Sequence, residues 1–146
     1  MRAFDFPLRR ALEWRRTQSE LEENALRQLA AKLEELALAA VRLDLVKNRA
    51  EAAVRQSATV EASDLWALAA YRQRLLTEMR QLQQQRQEGD LQLAAQRQKV
   101  MEAQRRFRLL EKLEQRRHAE WQRQADREME NLAAESFLAG WSRRNG

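Results

Sequence analysis

The sequence predicts an all-α protein: a long antiparallel two-helix coiled-coil hairpin whose second helix overhangs the first. Composition is the first reason, because the 146 residues include only 3 glycines and 1 proline while helix-favouring Ala, Leu, Glu, Arg and Gln predominate. The second is a stripe of apolar residues that alternate three and four positions apart, the spacing of a coiled-coil seam. The third is an interruption of that stripe near residue 60. A single domain over residues 1–146 follows.

The first helix is predicted over about residues 8–56. It follows an apolar opening segment in which Pro7 suits the first turn of a helix. We expect this segment to fold over the second helix near Phe107. The seam of the first helix is interrupted at Lys47, and its apolar members are Leu26, Leu29, Leu33, Leu36, Ala40, Leu43, Ala50 and Val54.

The turn is predicted at about residues 57–63, within the stretch QSATVEASDLWALAAY. Continuing the seam beyond Val54 places Ser57, Glu61 and Asp64 at three successive core positions. A helix there would have no apolar seam to bury, and burial supplies most helix stability. Ser57, Thr59 or Ser63 is expected to cap the second helix. A helix that continues through this stretch is the alternative.

The second helix is predicted over about residues 64–138, followed by a frayed tail over 139–146 because Gly140 suggests a helix end. A turn near residue 60 places Leu33 near Gly89 and Leu12 near Phe107. Polar seam positions are expected to weaken the middle of the hairpin. The seam contains Leu75, Met79, Leu82, Arg86, Gly89, Leu93, Gln96, Val100, Ala103, Phe107 and Leu110.

Residue patterns for catalysis or metal binding are absent from the sequence. No cysteine is present, so disulfides and thiolate metal sites are excluded. His118 is the only histidine, and the isolated Gly89 and Gly140 form no phosphate-binding loop. We therefore expect no enzymatic activity, no cofactor and no metal. Charged residues follow the first few positions, and no uncharged stretch approaches the ~20 residues that span a bilayer, so we expect no signal peptide or membrane span.

Net charge and periodicity leave two other function classes to consider. The net charge of +5 and the pI of about 10.4 raise nucleic-acid binding as one alternative. However, acidic residues are interspersed with the arginines and no nucleic-acid-binding motif is present, so we expect no nucleic-acid partner. The other alternative is a self-associating structural coiled coil that dimerises through its seam.

Phe4, Phe6 and Leu8 open the chain with a Phe-x-Phe-x-Leu pattern, and a helix start rich in leucine and arginine follows it. This opening resembles the FliJ family, small coiled-coil proteins of the flagellar type III export apparatus. Members often begin with Phe-x-Phe-x-Leu and a leucine- and arginine-rich helix start. Three later segments also resemble the family. They are a serine-containing middle stretch with Ser63, Trp66, Tyr71 and Leu75, the stretch RFRLLEKLEQRRHAEW, and the stretch EMENLAAESF. In the last of these, Ala133 and Ala134 stand where the family often has Asp-Glu. The opening match comprises Phe4, Phe6, Leu8, Leu12 and Arg15.

The resemblance implies an antiparallel two-helix stalk that binds the hexameric export ATPase and the cytoplasmic domain of the membrane export gate, and that handles export chaperones. It implies a cytoplasmic protein, peripheral at the inner membrane, that is a monomer or self-associates weakly. The corresponding stalk protein of the injectisome is an alternative assignment. Tyr71 and Leu75 are expected, by resemblance, at the export-gate surface.

The end of the hairpin where both chain termini meet is expected to be basic. Residues 1–16 carry five arginines against Asp5 and Glu13, and residues 105–127 carry eight basic residues against four acidic ones. Such a cluster would steer this end toward an acidic pore. The residues expected to bind the ATPase are Phe4, Phe6, Leu8, Arg9, Arg116, Arg117 and Trp121.

Overall fold

Two long α-helices account for nearly all of the chain. The computed structural model describes residues 2–57 and 59–146. Helix α1 spans Arg9–Arg55 and helix α2 spans Ala62–Asn145, and no strand occurs in the described ranges. The two helices pack against each other, so the predicted all-α helical hairpin is confirmed.

Contacts group the chain into two compact units. The turn unit consists of Leu21–Met101, and the terminal unit consists of Met1–Glu20 with Glu102–Gly146. Each unit contains part of α1 and part of α2. Among the described residues, no helix combines the length and the apolarity that crossing a membrane requires.

In the turn unit, antiparallel pairing follows the register expected from the seam. Arg72 Nε donates a hydrogen bond to Glu51 Oε1 at 3.1 Å, and Arg72 Nη2 forms an ion pair with the same oxygen at 3.1 Å. Leu33 lies directly against Gly89, the neighbour that a turn near residue 60 predicts. The numbers of paired residues thus add to about 120 along this unit. Leu75, Val100 and Gln96 are the buried residues that α2 contributes to it.

The turn ends with a cap on α2 that differs from the expected serine or threonine cap. The backbone N–H groups of Asp64 and Leu65 donate to the Glu61 carbonyl oxygen at 3.1 and 3.3 Å. Asp64 Oδ2 in turn accepts the Glu61 N–H at 3.2 Å, which is the reciprocal half of a capping box. Ser57 Oγ donates instead to the Thr59 carbonyl oxygen. Ala58, which the predicted turn includes, lies outside the described residues.

Helix α2 continues past the position at which the sequence suggested fraying. It runs through Gly140 to Asn145, so the tail expected over 139–146 is almost entirely helical. No glycine in the described ranges has a positive φ angle, so Gly140 does not terminate the helix in the left-handed conformation usual at helix ends. Helix-favouring neighbours offset the roughly 1 kcal/mol that one glycine costs.

Gly89 has a packing role that its residue type alone does not indicate. It lies inside α2, as the uninterrupted seam predicts, with ordinary helical backbone angles. A Cβ atom at this position would collide with Leu33 Cδ2. The absence of a Cβ atom at Gly89 thus makes room for the Leu33 side chain, which is a different reason for glycine from backbone flexibility.

Candidate partner-binding surfaces

The seven residues before α1 form a lead-in that packs on α2 in the terminal unit. We use this name for residues 2–8. Phe6 is 1% exposed and is the most deeply buried large side chain described, while Leu12 of α1 is 3% exposed. The Arg9 N–H donates to the Phe6 carbonyl oxygen at 3.0 Å, which turns the chain into the first helical turn. The apolar opening of the sequence is thus part of the core of this unit.

An aromatic cluster on α2 receives the lead-in. The Phe4 ring meets the His118 ring edge-on, with centroids 4.9 Å apart and planes at 87°. Its centroid lies 6.0 Å from that of Trp121, and His118 and Trp121 are 5.7 Å apart. Trp121 Nε1–H donates to the Arg2 carbonyl oxygen at 3.1 Å. The lead-in therefore docks on His118 and Trp121, about three to four helical turns beyond Phe107, the neighbour that the sequence suggested.

Docking changes what the predicted ATPase-binding residues contribute. Because Phe6 is buried, direct partner contact by its side chain is at odds with the structure, and it instead holds the lead-in in place. Phe4 and Trp121 are half-buried and are engaged with each other. Leu8 remains 42% exposed and is available to a partner.

The predicted basic residues at this end lie at the surface. Arg9 Nη2 forms an ion pair with Glu114 Oε1 at 2.8 Å, with the Arg9 side chain 52% exposed. Arg116 and Arg117 are exposed, and neither forms an ion pair within residues 2–57 and 59–146. Exposed, unpaired guanidinium groups keep their full capacity for a carboxylate partner. The Arg16 guanidinium lies over the Phe107 ring at 5.4 Å.

The residues near the turn do not behave as the resemblance implied. Leu75 is 4% exposed and belongs to the helix–helix core, so direct contact of its side chain with an export gate is at odds with the structure. Tyr71 is half-buried and lines an open cavity of about 620 Å³ beside the turn. Trp66, five residues earlier on α2, is 78% exposed. The cavity is lined by Ala50, Ala53, Val54, Ser57, Val60, Asp64, Ala67, Leu68 and Tyr71.

A polar seam contact replaces one of the expected weak points. Gln96 is 9% exposed, and its Nε2 donates to the Glu22 carbonyl oxygen at 3.0 Å and to the Glu22 carboxylate. No buried side-chain nitrogen or oxygen in the described part of the chain lacks a hydrogen-bond partner. Arg86, by contrast, is exposed and Lys47 half-buried, so neither places a charge in the core. The register predicted from a turn near residue 60 places Glu22 opposite Gln96, so the sequence was sufficient to predict this contact.

No group of three or more potential metal ligands occurs among the described residues. Comparisons with protein-family models, with curated proteins and with solved structures find no match. The likeness to the FliJ family therefore rests on the sequence patterns described above.

Proposed function

We propose that this chain is a non-enzymatic coiled-coil stalk of a type III protein export apparatus, similar to the FliJ family. In this role it binds the hexameric export ATPase with its terminal unit and the cytoplasmic domain of the export gate near its turn, and it assists export chaperones at the cytoplasmic face of the inner membrane. The flagellar apparatus is the first assignment, and the injectisome is the second.

The observation that carries the proposal is the Phe-x-Phe-x-Leu opening, which is both the most specific part of the resemblance and a packed element. Phe4 and Phe6 of this motif pack in the terminal unit, and Leu8 remains exposed. The motif thus supports a defined surface that combines an apolar residue with arginines from both ends of the chain. An interface of that composition suits partners that bind by a desolvated anchor and a charged rim.

Charge supports the ATPase as the partner of the terminal unit. Arg116 and Arg117 are exposed and Arg9 is half exposed, on the same unit as the docked lead-in. A basic surface of this kind accelerates association with an acidic pore and loses that advantage as salt concentration rises.

Near the turn, the exposed Trp66 is a better candidate for contact with the export gate than Leu75, the residue that the resemblance implied. An exposed tryptophan is among the residue types that contribute most to protein interfaces, and Tyr71 lines a cavity on the same part of α2. We therefore assign Trp66 and Tyr71, rather than Leu75, to contact with the export gate.

The experiment is the hydrolysis rate of a cognate export ATPase with and without this protein. We expect stimulation by the native chain and its loss in the double charge reversal Arg116→Glu with Arg117→Glu. The matched control is Arg97→Glu with Lys99→Glu, which makes the same charge change at exposed positions of the turn unit. If the Arg116→Glu, Arg117→Glu variant still stimulates hydrolysis, the assigned surface is refuted. If the native chain does not stimulate hydrolysis, the coupling role is refuted.

A self-associating structural coiled coil is the second candidate. It is supported by three exposed residues of α1 spaced three and four apart, Leu38, Val41 and Leu45, which are 56%, 57% and 49% exposed. A second copy packed on this stripe would bury it as a further coiled-coil seam. This candidate expects a dimer in solution that Val41→Glu abolishes, together with no effect on an ATPase.

A further inference from the structure

The last three turns of α2 carry large apolar side chains that nothing in the described structure covers. Phe137, Leu138 and Trp141 are 71%, 61% and 58% exposed. With Ala134 they occupy positions i, i+3, i+4 and i+7, which share one face of an α-helix. Exposed apolar groups collected on one face indicate an interaction surface more strongly than the same groups scattered singly. We call Ala134, Phe137, Leu138 and Trp141 the tail face.

Opposite charges flank the tail face at its two ends. Glu130 lies one turn before Ala134, and Arg144 lies one turn after Trp141. Both side chains are exposed, and neither takes part in an ion pair within the described ranges. Because the two charges are 14 residues apart along α2, about 21 Å, they do not form an ion pair with each other. Each is therefore free to pair with an opposite charge on another chain.

We propose that the tail face binds the tail face of a second copy of this chain, antiparallel about a two-fold axis between Phe137 and Leu138. Such an axis places Phe137 of one copy against Leu138 of the other. It also places the small Ala134 against the large Trp141, so the facing surfaces are complementary in volume. A two-fold interface is self-complementary by construction, and every contact occurs twice.

The charges select this arrangement over a parallel one. In the antiparallel pair, Glu130 of each copy lies within one residue of the level of Arg144 of the other copy. In a parallel pair, Glu130 would face Glu130 and Arg144 would face Arg144, and like charges would repel at both ends. Opposite charge is the reason to choose a second copy of this chain as the occupant.

The area of the tail face is that of a small interface. The two aromatic side chains and Leu138, more than half exposed, offer on the order of 400 Å² per copy, hence about 800 Å² in total. Stable interfaces bury more than about 1,000 Å². The tail face therefore forms a weak, reversible dimer. The inference does not depend on the proposed function, because it concerns the face of α2 beyond the docked lead-in.

Sedimentation equilibrium of the intact protein provides the test, from about 10 µM to about 1 mM, a range that covers the dissociation constants of weak dimers. We expect the average mass to rise from 17.3 kDa toward twice that value. Phe137→Glu should keep the protein monomeric over the whole range. Met129→Glu, which charges a position that is 69% exposed and points away from the tail face, should leave the equilibrium unchanged. Circular dichroism confirms that each variant stays helical.

A charge exchange tests the antiparallel arrangement. Glu130→Arg alone and Arg144→Glu alone should each raise the dissociation constant of the dimer about tenfold, because attraction becomes repulsion at two symmetric places. The chain that carries both changes should return to the native dissociation constant. A mass that stays at 17.3 kDa overturns the proposal. A dimer that resists Phe137→Glu, or a double variant without rescue, overturns it as well, and a dimer abolished by Val41→Glu instead identifies the α1 stripe.

Discussion

Replacing Gly89 with alanine tests how closely the two helices approach. On an exposed helix, alanine in place of glycine stabilises by about 1 kcal/mol. At Gly89 the new methyl group would collide with Leu33 Cδ2, so Leu33 must leave its position in the seam. Overpacking of this kind costs about 1–3 kcal/mol. The net change in the free energy of unfolding is therefore expected to lie between about zero and a loss of about 2 kcal/mol.

A double-mutant cycle separates the two contributions. In the Leu33→Ala background the collision is gone, so Gly89→Ala should stabilise by the full helix-propensity gain of about 1 kcal/mol. The coupling energy between the two positions should then be about 1–3 kcal/mol. Urea unfolding followed by far-UV circular dichroism measures all four proteins.

Gly140 provides the matched control for this cycle. It also lies inside α2, but a Cβ atom added there meets nothing within 4 Å. Gly140→Ala should therefore have the same effect whether residue 33 is leucine or alanine. If Gly89→Ala also stabilises by about 1 kcal/mol in the presence of native Leu33, the close approach of the helices is refuted.

Three further substitutions test the lead-in, the polar seam contact and the cap, each by urea unfolding. Phe6→Ala should lower the free energy of unfolding by about 3–5 kcal/mol because a fully buried ring is lost, whereas Leu8→Ala, at an exposed position, should change it by less than about 0.5 kcal/mol. Gln96→Leu should cost about 1–3 kcal/mol because the part-buried oxygens of Glu22 lose their donor. Asp64→Ala should cost about 0.5–2 kcal/mol because an N–H group at the start of α2 loses its acceptor.

Each of these three predictions has an outcome that contradicts it. Equal effects of Phe6→Ala and Leu8→Ala would mean that the lead-in does not dock. An unchanged stability in Gln96→Leu would show that leucine packing compensates for the lost hydrogen bonds. The Gln96–Glu22 contact would then fix the pairing register of the helices without adding stability. If Ser63→Ala destabilises more than Asp64→Ala, the cap lies on the serine as the sequence first suggested.

Local rules were sufficient to predict the two helices and their pairing. The apolar spacing of three and four defines which face of each helix is buried, and three successive polar core positions mark the stretch where the chain reverses. Once the turn is placed near residue 60, antiparallel geometry brings Leu33 beside Gly89 without further information. These features depend on residues close in sequence and on one reversal of the chain, so the sequence by itself determined them.

Tertiary structure decided which side chains are available to partners. Phe6 and Leu75 match a family pattern that implied contact with partners, yet they are buried, because burial depends on what the opposite helix and the lead-in place against them. From the sequence, Gln96 was expected to weaken the seam, but in the structure Glu22 accepts its hydrogen bonds from the opposite helix. Only the packed structure shows that the tail face stays uncovered, because exposure depends on where the first helix and the lead-in end. A sequence specifies an amphipathic face, and the folded chain determines whether that face is already occupied.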